Sequence, residues 1–286
     1  MHPVLFEIPR LFTIPEIFSL GPIPVGPFTV YTYGVLLAAS YLLGLRLAMS
    51  RARARGLSAD RVLDLGIYII IAALIGAKLL LLIVDREQFN SLADLFSLVR
   101  AGGVFYGGLI TAVAVAFWYM SRHRMPFWTT CDVFAPAIAL GHVTGRLGCL
   151  AAGCCWGKPT DVPWAITFTN DLAEKIVGTR LNVPLHPTQL YEAGAELLIL
   201  VLLLATERRW RPYPGRTFWL YMLLYAISRY IIEFYRGDPR GVVLGMSTSQ
   251  FISLILAPLS LAMLVWLRRS SPETPQELRG RRKAAA

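Results

Sequence analysis

The sequence predicts an all-α integral membrane protein of about seven transmembrane helices, with its N-terminus outside and its C-terminus cytoplasmic. Three observations carry that prediction. Of 286 residues, 55% are hydrophobic and only 16% are charged, with mean hydropathy +0.53; soluble domains hold roughly half apolar and about a quarter charged residues. The apolar residues gather in stretches close to the ~20 residues that span a bilayer. The net charge of +10 lies mostly in the connections between those stretches, which orients a membrane chain and does not make a nucleic-acid footprint. No nucleic-acid partner is expected.

The elements follow in order. Residues 1–27 are broken by prolines and hold no compact apolar run before a small-residue cleavage site. No cleavable signal peptide is expected there, so the first spanning helix would drive insertion. Spans are read at 28–50, 62–84, 103–121, 129–150, 188–206, 216–235 and 247–268. His142 and Arg146 interrupt the fourth. The connection 151–187 is too long for a turn. It carries Trp156, Trp164, several prolines and an amphipathic segment at 168–178, and it reads as an outer-face cap between spans four and five. A single polytopic membrane domain is expected over 1–269. Residues 270–286 are polar and basic and read as a disordered cytoplasmic tail.

Basic residues set the orientation. Arg51, Arg53, Arg55 and Arg61 share one side with Arg122 and Arg124, with Arg208, Arg209, Arg211 and Arg216, and with Arg268, Arg269, Arg279, Arg281, Arg282 and Lys283. The other side holds Arg10, Arg86, Arg100, Lys158, Lys175, Arg180, Arg236 and Arg240. The richer side is cytoplasmic. An odd number of spans then places the N-terminus outside.

Ionisable groups within spans are costly and point to function. Arg146, Arg229, Glu233 and Arg236 fall at the outer ends of spans four and six, and Glu192 opens span five. Arg229 and Glu233 stand at i,i+4 and could simply pair. Arg146 has no acid within four residues, so its partner must come from another helix or from a ligand. Arg236, at the interface, could be an anchor, and Lys78 could snorkel. Several cations at one depth could also grip a lipid phosphate. Glycines around them, in 102–108 and 145–148, suit close helix packing or backbone N–H groups near an anion. In HPTQLYE (186–192), His186 precedes a proline and sits in a bent entry. His142 could be a packed neutral ring, and Asp132 a structural partner or a helix-start acid.

Cys131, Cys149, Cys154 and Cys155 are the only cysteines. The spacing C-x4-C-C is not a standard zinc pattern, and small apolar packing is the expected role. A disulfide is conceivable in an oxidising compartment, though not between adjacent Cys154 and Cys155 without strain.

Taken together, HPVLFEIP (2–9), VYTYG (30–34), GGVFYGG (102–108), GRLGCLAAGCCWG (145–157), HPTQLYE and RYIIEFYRGDP (229–239) resemble the prolipoprotein diacylglyceryl transferase family. The resemblance implies a multi-pass protein of the bacterial inner membrane. It would transfer a diacylglyceryl group from phosphatidylglycerol to the lipobox cysteine thiol of exported preproteins, releasing glycerol phosphate. Membrane lipids and lipobox-containing preproteins would be its partners, with no metal and no cofactor. Carried over by position, Arg146 and Arg229 would be the essential cations. Tyr33, Tyr225, Gly157, His186 and Glu192 would line the site, with His186 or Glu192 placed to deprotonate the thiol. Gly107, Gly108, Gly148, Glu233 and Arg236 would complete the substrate-binding set. The chain departs from the family's usual G-R-x-G-N-F-x-N-G-E at Cys149, Ala152 and Cys154, and it has Tyr106 where His is usual. Two other readings therefore stand beside the transferase: a divergent relative using the same cavity on another lipid or acceptor, and a non-catalytic lipid-binding protein.

Overall fold

The computed structural model describes residues 4–8, 12–14, 23–25, 28–86, 103–209 and 213–271. Gly102, Arg10, Arg100, Arg211 and the tail from 272 onward lie outside the described residues. Eight helices are present among those described: α1 (Thr32–Ala54), α2 (Ala59–Val84), α3 (Phe105–Arg122), α4 (Phe127–Ala152), α5 (Asp171–Val177), α6 (Thr188–Arg209), α7 (Arg216–Glu233) and α8 (Thr248–Ser270). Each of the seven stretches read as spans overlaps a helix, the first of them beginning in the strand at Phe28–Tyr31. Five of these, α1, α2, α4, α6 and α8, are long and apolar enough to cross a membrane. The 18-residue α7 carries Arg216, Arg229 and Glu233. The amphipathic segment of the connection 151–187 is α5, started by the Asn170 side chain on Leu172 N and stopped by Gly178 in the left-handed region at φ 66°. No strands were expected from the sequence; the structure adds four two-stranded antiparallel ribbons. They are β1 (Val4–Ile8) with β4 (Phe28–Tyr31), β2 (Phe12–Ile14) with β3 (Ile23–Val25), β5 (Ile166–Thr167) with β6 (Pro184–Leu185), and β7 (Val242–Val243) with β8 (Met246–Ser247).

Contacts divide the chain into two units, one of residues 1–44 and 134–286, the other of residues 45–133. In the second unit, α2 packs against α3 through small residues. A side chain at Gly107 would run into the Gly76 carbonyl and Leu80, and one at Gly108 would stand 2.8 Å from the Ala73 carbonyl. Thr111 Oγ1 donates across to Ala72 O at 2.8 Å, and Val104 N donates to Ala77 O at 3.0 Å. This is the small-residue packing that lets helix backbones approach in lipid. It is the packing role, of the two weighed for the 102–108 glycines, that the structure displays for Gly107 and Gly108. Asp132, fully buried, pairs with Arg55 at 3.0 Å, the structural role expected of it.

In the first unit the polarity is inverted relative to a soluble core. On α6, Thr188, Gln189, Glu192 and Glu196 are buried while Leu197, Leu198 and Val201 are exposed. An apolar exterior around polar interior groups is what a lipid solvent selects. The cap has its own small core, Trp156, Phe168 and Leu185, with Leu150, Ile166, Leu181 and Val183 packed around it. Ser40 of α1 donates to Gly141 O on α4 at 3.0 Å.

The glycine packing makes a prediction. Gly107→Ala should overpack the α2/α3 crossing and cost about 1–3 kcal/mol, read as a lower unfolding temperature in detergent. Gly34→Ala, with nothing within 4 Å of the added carbon, should leave that temperature unchanged or slightly raised.

Candidate active site

Four helices and two connections of the first unit assemble the site, and the entry to α6 dictates its form. Pro187 keeps His186 out of helical conformation, and the helix starts at Thr188. Thr188 Oγ1 donates to Cys155 O at 2.8 Å and Gln189 Nε2 to Cys154 O at 2.7 Å. The Tyr191 hydroxyl accepts from Trp164 Nε1 at 2.7 Å and meets His186 Nδ1 at 3.1 Å. Glu192, one turn in, faces the interior.

Its carboxylate holds three guanidinium groups. Oε2 takes Arg146 Nε at 2.6 Å; Oε1 takes Arg229 Nη1 at 2.8 Å and Arg236 Nη1 at 2.7 Å. Around this centre the other charges interlock. Arg229 Nη2 reaches Glu233 Oε2 at 2.6 Å and donates to Ser249 Oγ at 3.0 Å. Arg236 grips Asp238 in a two-pronged contact, Nε to Oδ1 and Nη2 to Oδ2, both 2.8 Å. Arg240 lies 3.2 Å from Asp238 Oδ2 and 3.5 Å from Glu233 Oε1. A capping box of Ser247 and Gln250 starts α8 and so fixes Ser249. Four arginines face three carboxylates, a surplus of one positive charge. The Arg236 side chain is 1% exposed, whereas Arg146 and Arg240 are 21% and 26% exposed. Those two are the more accessible cations of the cluster.

Asp238 lies in the connection after α7. Burial works against its charge, but the Arg236 hydrogen bonds and the Arg236 and Arg240 cations prevail and hold its carboxyl below the usual carboxylate range. Its contribution to stability is therefore present above the ordinary carboxylate pKa and is lost only as pH falls through the depressed value. The clamp persists at every pH at which a cell works.

A second set of polar groups lies one helical turn along from the first. His142 Nδ1 is 3.0 Å from Glu196 Oε1 and 3.1 Å from the Tyr221 hydroxyl. The Tyr225 ring lies 5.6 Å from His142 and stacks on Tyr221 at 6.0 Å. His142 and Arg146, Glu192 and Glu196, and Tyr225 and Arg229 are each four residues apart on their helices, so the sets repeat down the bundle.

Glycines allow the chain to thread this region. Gly157 pairs with Arg236 in an isolated bridge, and Lys158 N donates to Tyr235 O at 2.8 Å while His186 N donates to Lys158 O at 3.0 Å. A Cβ at Gly157 would meet the His186 carbonyl and stand 2.9 Å from the Tyr235 carbonyl. At Gly148 it would stand 3.2 Å from the Tyr33 ring.

The structure thus joins Arg146, Glu192, Arg229, Glu233 and Arg236 in one network. The cross-helix partner required for Arg146 is Glu192. The i,i+4 pair of Arg229 and Glu233 forms, and Arg229 also reaches Glu192. Arg236 is a buried clamp rather than an interfacial anchor. His186 is held by Tyr191 and lies 5.2 Å, ring to ring, from Tyr235; its recorded contacts are with these two rings and not with the arginines. Gly107 and Gly108 belong to the other unit, described above. Asp238, Arg240, Ser249 and Glu196 were not singled out by sequence reasoning. Asp238 and Arg240 could have been found from the alternation of RGDPR (236–240); nothing local marks Ser249.

A family model described as prolipoprotein diacylglyceryl transferase matches residues 21–266. A phosphatidylglycerol–prolipoprotein diacylglyceryl transferase of Clostridium tetani is 35% identical over 254 residues, covering 89% of this chain and 93% of the relative. One from Acaryochloris marina is 31% identical over 268 residues, covering 92% and 94%. One from Corynebacterium diphtheriae is 26% identical over 265 residues, covering 88% and 92%.

Removing the central acid tests the network. Glu192→Gln keeps the shape but leaves buried guanidinium groups uncompensated, and should cost about 3–5 kcal/mol. Arg240→Gln, at the exposed edge, should cost under about 1 kcal/mol. Thermal unfolding in detergent ranks the two; equal losses would mean that Glu192 is not the centre.

Proposed function

The chain belongs to the prolipoprotein diacylglyceryl transferase family, and from that premise we propose how this multi-pass membrane protein performs the transfer. The substrates are phosphatidylglycerol and the lipobox cysteine of an exported preprotein. The thiolate sulfur attacks the diacylglycerol carbon that carries the phosphate. A C–S bond forms, the C–O bond breaks, and glycerol phosphate leaves with the electron pair. The thiol proton passes to a base.

The observation that supports this reading is the three-guanidinium grip of Glu192 at 2.6–2.8 Å. As the C–O bond breaks, the phosphate gains one negative charge. Guanidinium groups already held in position stabilise that charge without reorganising, and their planar donors match phosphate oxygens. Glu192 uses both oxygens on arginines, so we assign it positioning rather than proton transfer. Arg146 meets Glu192 side-on through Nε, which leaves its terminal groups to the phosphate. Arg229 backs the same carboxylate from α7. His186, with Nδ1 on Tyr191, is then the base, and Tyr33 and Tyr225 flank the lipid. A carrier without chemistry would not need seven interlocked charges.

We further place the protein in the bacterial inner membrane with seven spans, the N-terminus outside and the cap 151–187 on the outer face. The two-to-one bias of basic residues supports this. With the native cysteines replaced by serine, Asn170→Cys should react with an impermeant maleimide on intact cells and Arg124→Cys only after permeabilisation. The reverse pattern overturns the orientation.

The activity test uses purified membranes, phosphatidylglycerol and a lipobox peptide, with mass spectrometry of the peptide. Wild type should yield the diacylglyceryl adduct on cysteine. Arg146→Ala should insert normally and lose activity by about 10²–10³-fold, the scale for removing one donor from a developing charge. Wild-type turnover in Arg146→Ala removes the role given to that residue. No adduct from folded, inserted wild type removes the transferase mechanism.

A further inference from the structure

Three cysteines beside the arginine cluster take no part in the transfer just described. Cys149 lies in the last turn of α4, and Cys154 and Cys155 in the turn that follows. Their three Sγ atoms all lie within 4.8 Å of one another. Around a zinc ion with Zn–S near 2.3 Å, three thiolate sulfurs stand roughly 3.8–4.0 Å apart. The observed group needs to close by an ångström or less.

The backbone makes the thiols converge. Gly153 and Cys155 both take positive φ, 83° and 62°. For a non-glycine residue such as Cys155 that conformation is disfavoured. From α6, Thr188 and Gln189 hold the carbonyls of Cys155 and Cys154 at 2.8 and 2.7 Å. Two adjacent cysteines are thereby turned toward a third from the preceding helix. Apolar packing does not require that convergence. A disulfide uses two of the sulfurs and leaves the third idle, and between the adjacent pair it is strained. A metal ion uses all three.

Charge is also favourable. Arg146 stands one turn before Cys149, and a guanidinium so placed favours thiolates over thiols. Three thiolates around a divalent cation carry one negative charge. We propose that Cys149, Cys154 and Cys155 form a three-thiolate site for a thiophilic d10 cation, for which Zn²⁺ is the probe. No fourth His, Cys, Asp or Glu joins the group among the described residues, so water completes the coordination. The inference does not depend on the transferase mechanism.

The test uses the full chain in detergent, made without a histidine tag and purified anaerobically. Elemental analysis after Zn²⁺ loading and desalting should find one ion per chain. Co²⁺ loading should give thiolate-to-cobalt charge-transfer absorption, whose intensity in the wild type counts the sulfurs without any mutation. Cys149→Ser, Cys154→Ser and Cys155→Ser should each weaken Zn²⁺ binding at least 100-fold, while Cys131→Ser should leave it unchanged. Four titratable thiols in the denatured chain with no metal retained overturn the site. So does a pair of thiols lost to a disulfide, or cobalt absorption indicating fewer than three sulfurs.

Discussion

One carboxylate in an apolar layer governs the arrangement of this protein. Glu192 draws guanidinium groups from α4, from α7 and from the connection beyond α7 onto its two oxygens. Burying such charges apart would cost several kcal/mol each, and the cost is met only when geometry and hydrogen bonds are complete. That condition explains the rest. Glu233, Asp238 and Ser249 exist in the network because each arginine has donors that Glu192 cannot satisfy. The RGDPR connection folds back on itself because Arg236 and Arg240 share Asp238. The interlock fixes three helix ends relative to one another far more firmly than apolar contact could, since lipid competes equally well for apolar faces.

The same constraint explains why glycine appears where it does. The segment 156–158 runs between the entry of α6 and the exit of α7, tied to both by main-chain hydrogen bonds. A side chain at Gly157 would push the two apart and pull Arg236 from Glu192. The cap thus does more than cover the bundle: it threads through the ion network, and its Trp156, Phe168 and Leu185 core holds the thread taut. The ion network and the cap therefore support each other, and most substitutions at their junction should lower the stability of both.

The helices and the membrane class were legible because hydropathy and basic loops act locally, one segment at a time. The pair of Arg229 and Glu233 was legible for the same reason, from i,i+4 spacing alone. The demand of Arg146 for a distant partner could be deduced, but not that Glu192 would also serve Arg229 and Arg236. That depends on which faces of three helices meet, and a one-dimensional pattern does not hold it. Arg236 looked like an interfacial anchor because depth was inferred from distance along the helix. The structure buries it because the chain turns back at Gly237, whose N–H donates to Trp156 O. Cys149, Cys154 and Cys155 were unreadable for a related reason. A spacing rule compares sulfurs along the chain, whereas their meeting depends on two left-handed residues in the turn.

The departures from the family signature bear on what the chemistry requires. Cys149, Ala152 and Cys154 stand where two amides and an acid are usual, and cysteine cannot reproduce an amide's paired donor and acceptor. None of these three positions supplies an ion pair in the network around Glu192. The cations that would hold a phosphate are positioned by helix α6 and the α7–α8 connection, not by the altered stretch. Arg146 is the one member that comes from that stretch, and it is anchored across the bundle rather than by its sequence neighbours. The residues at these three positions therefore leave the ion network around Glu192 intact.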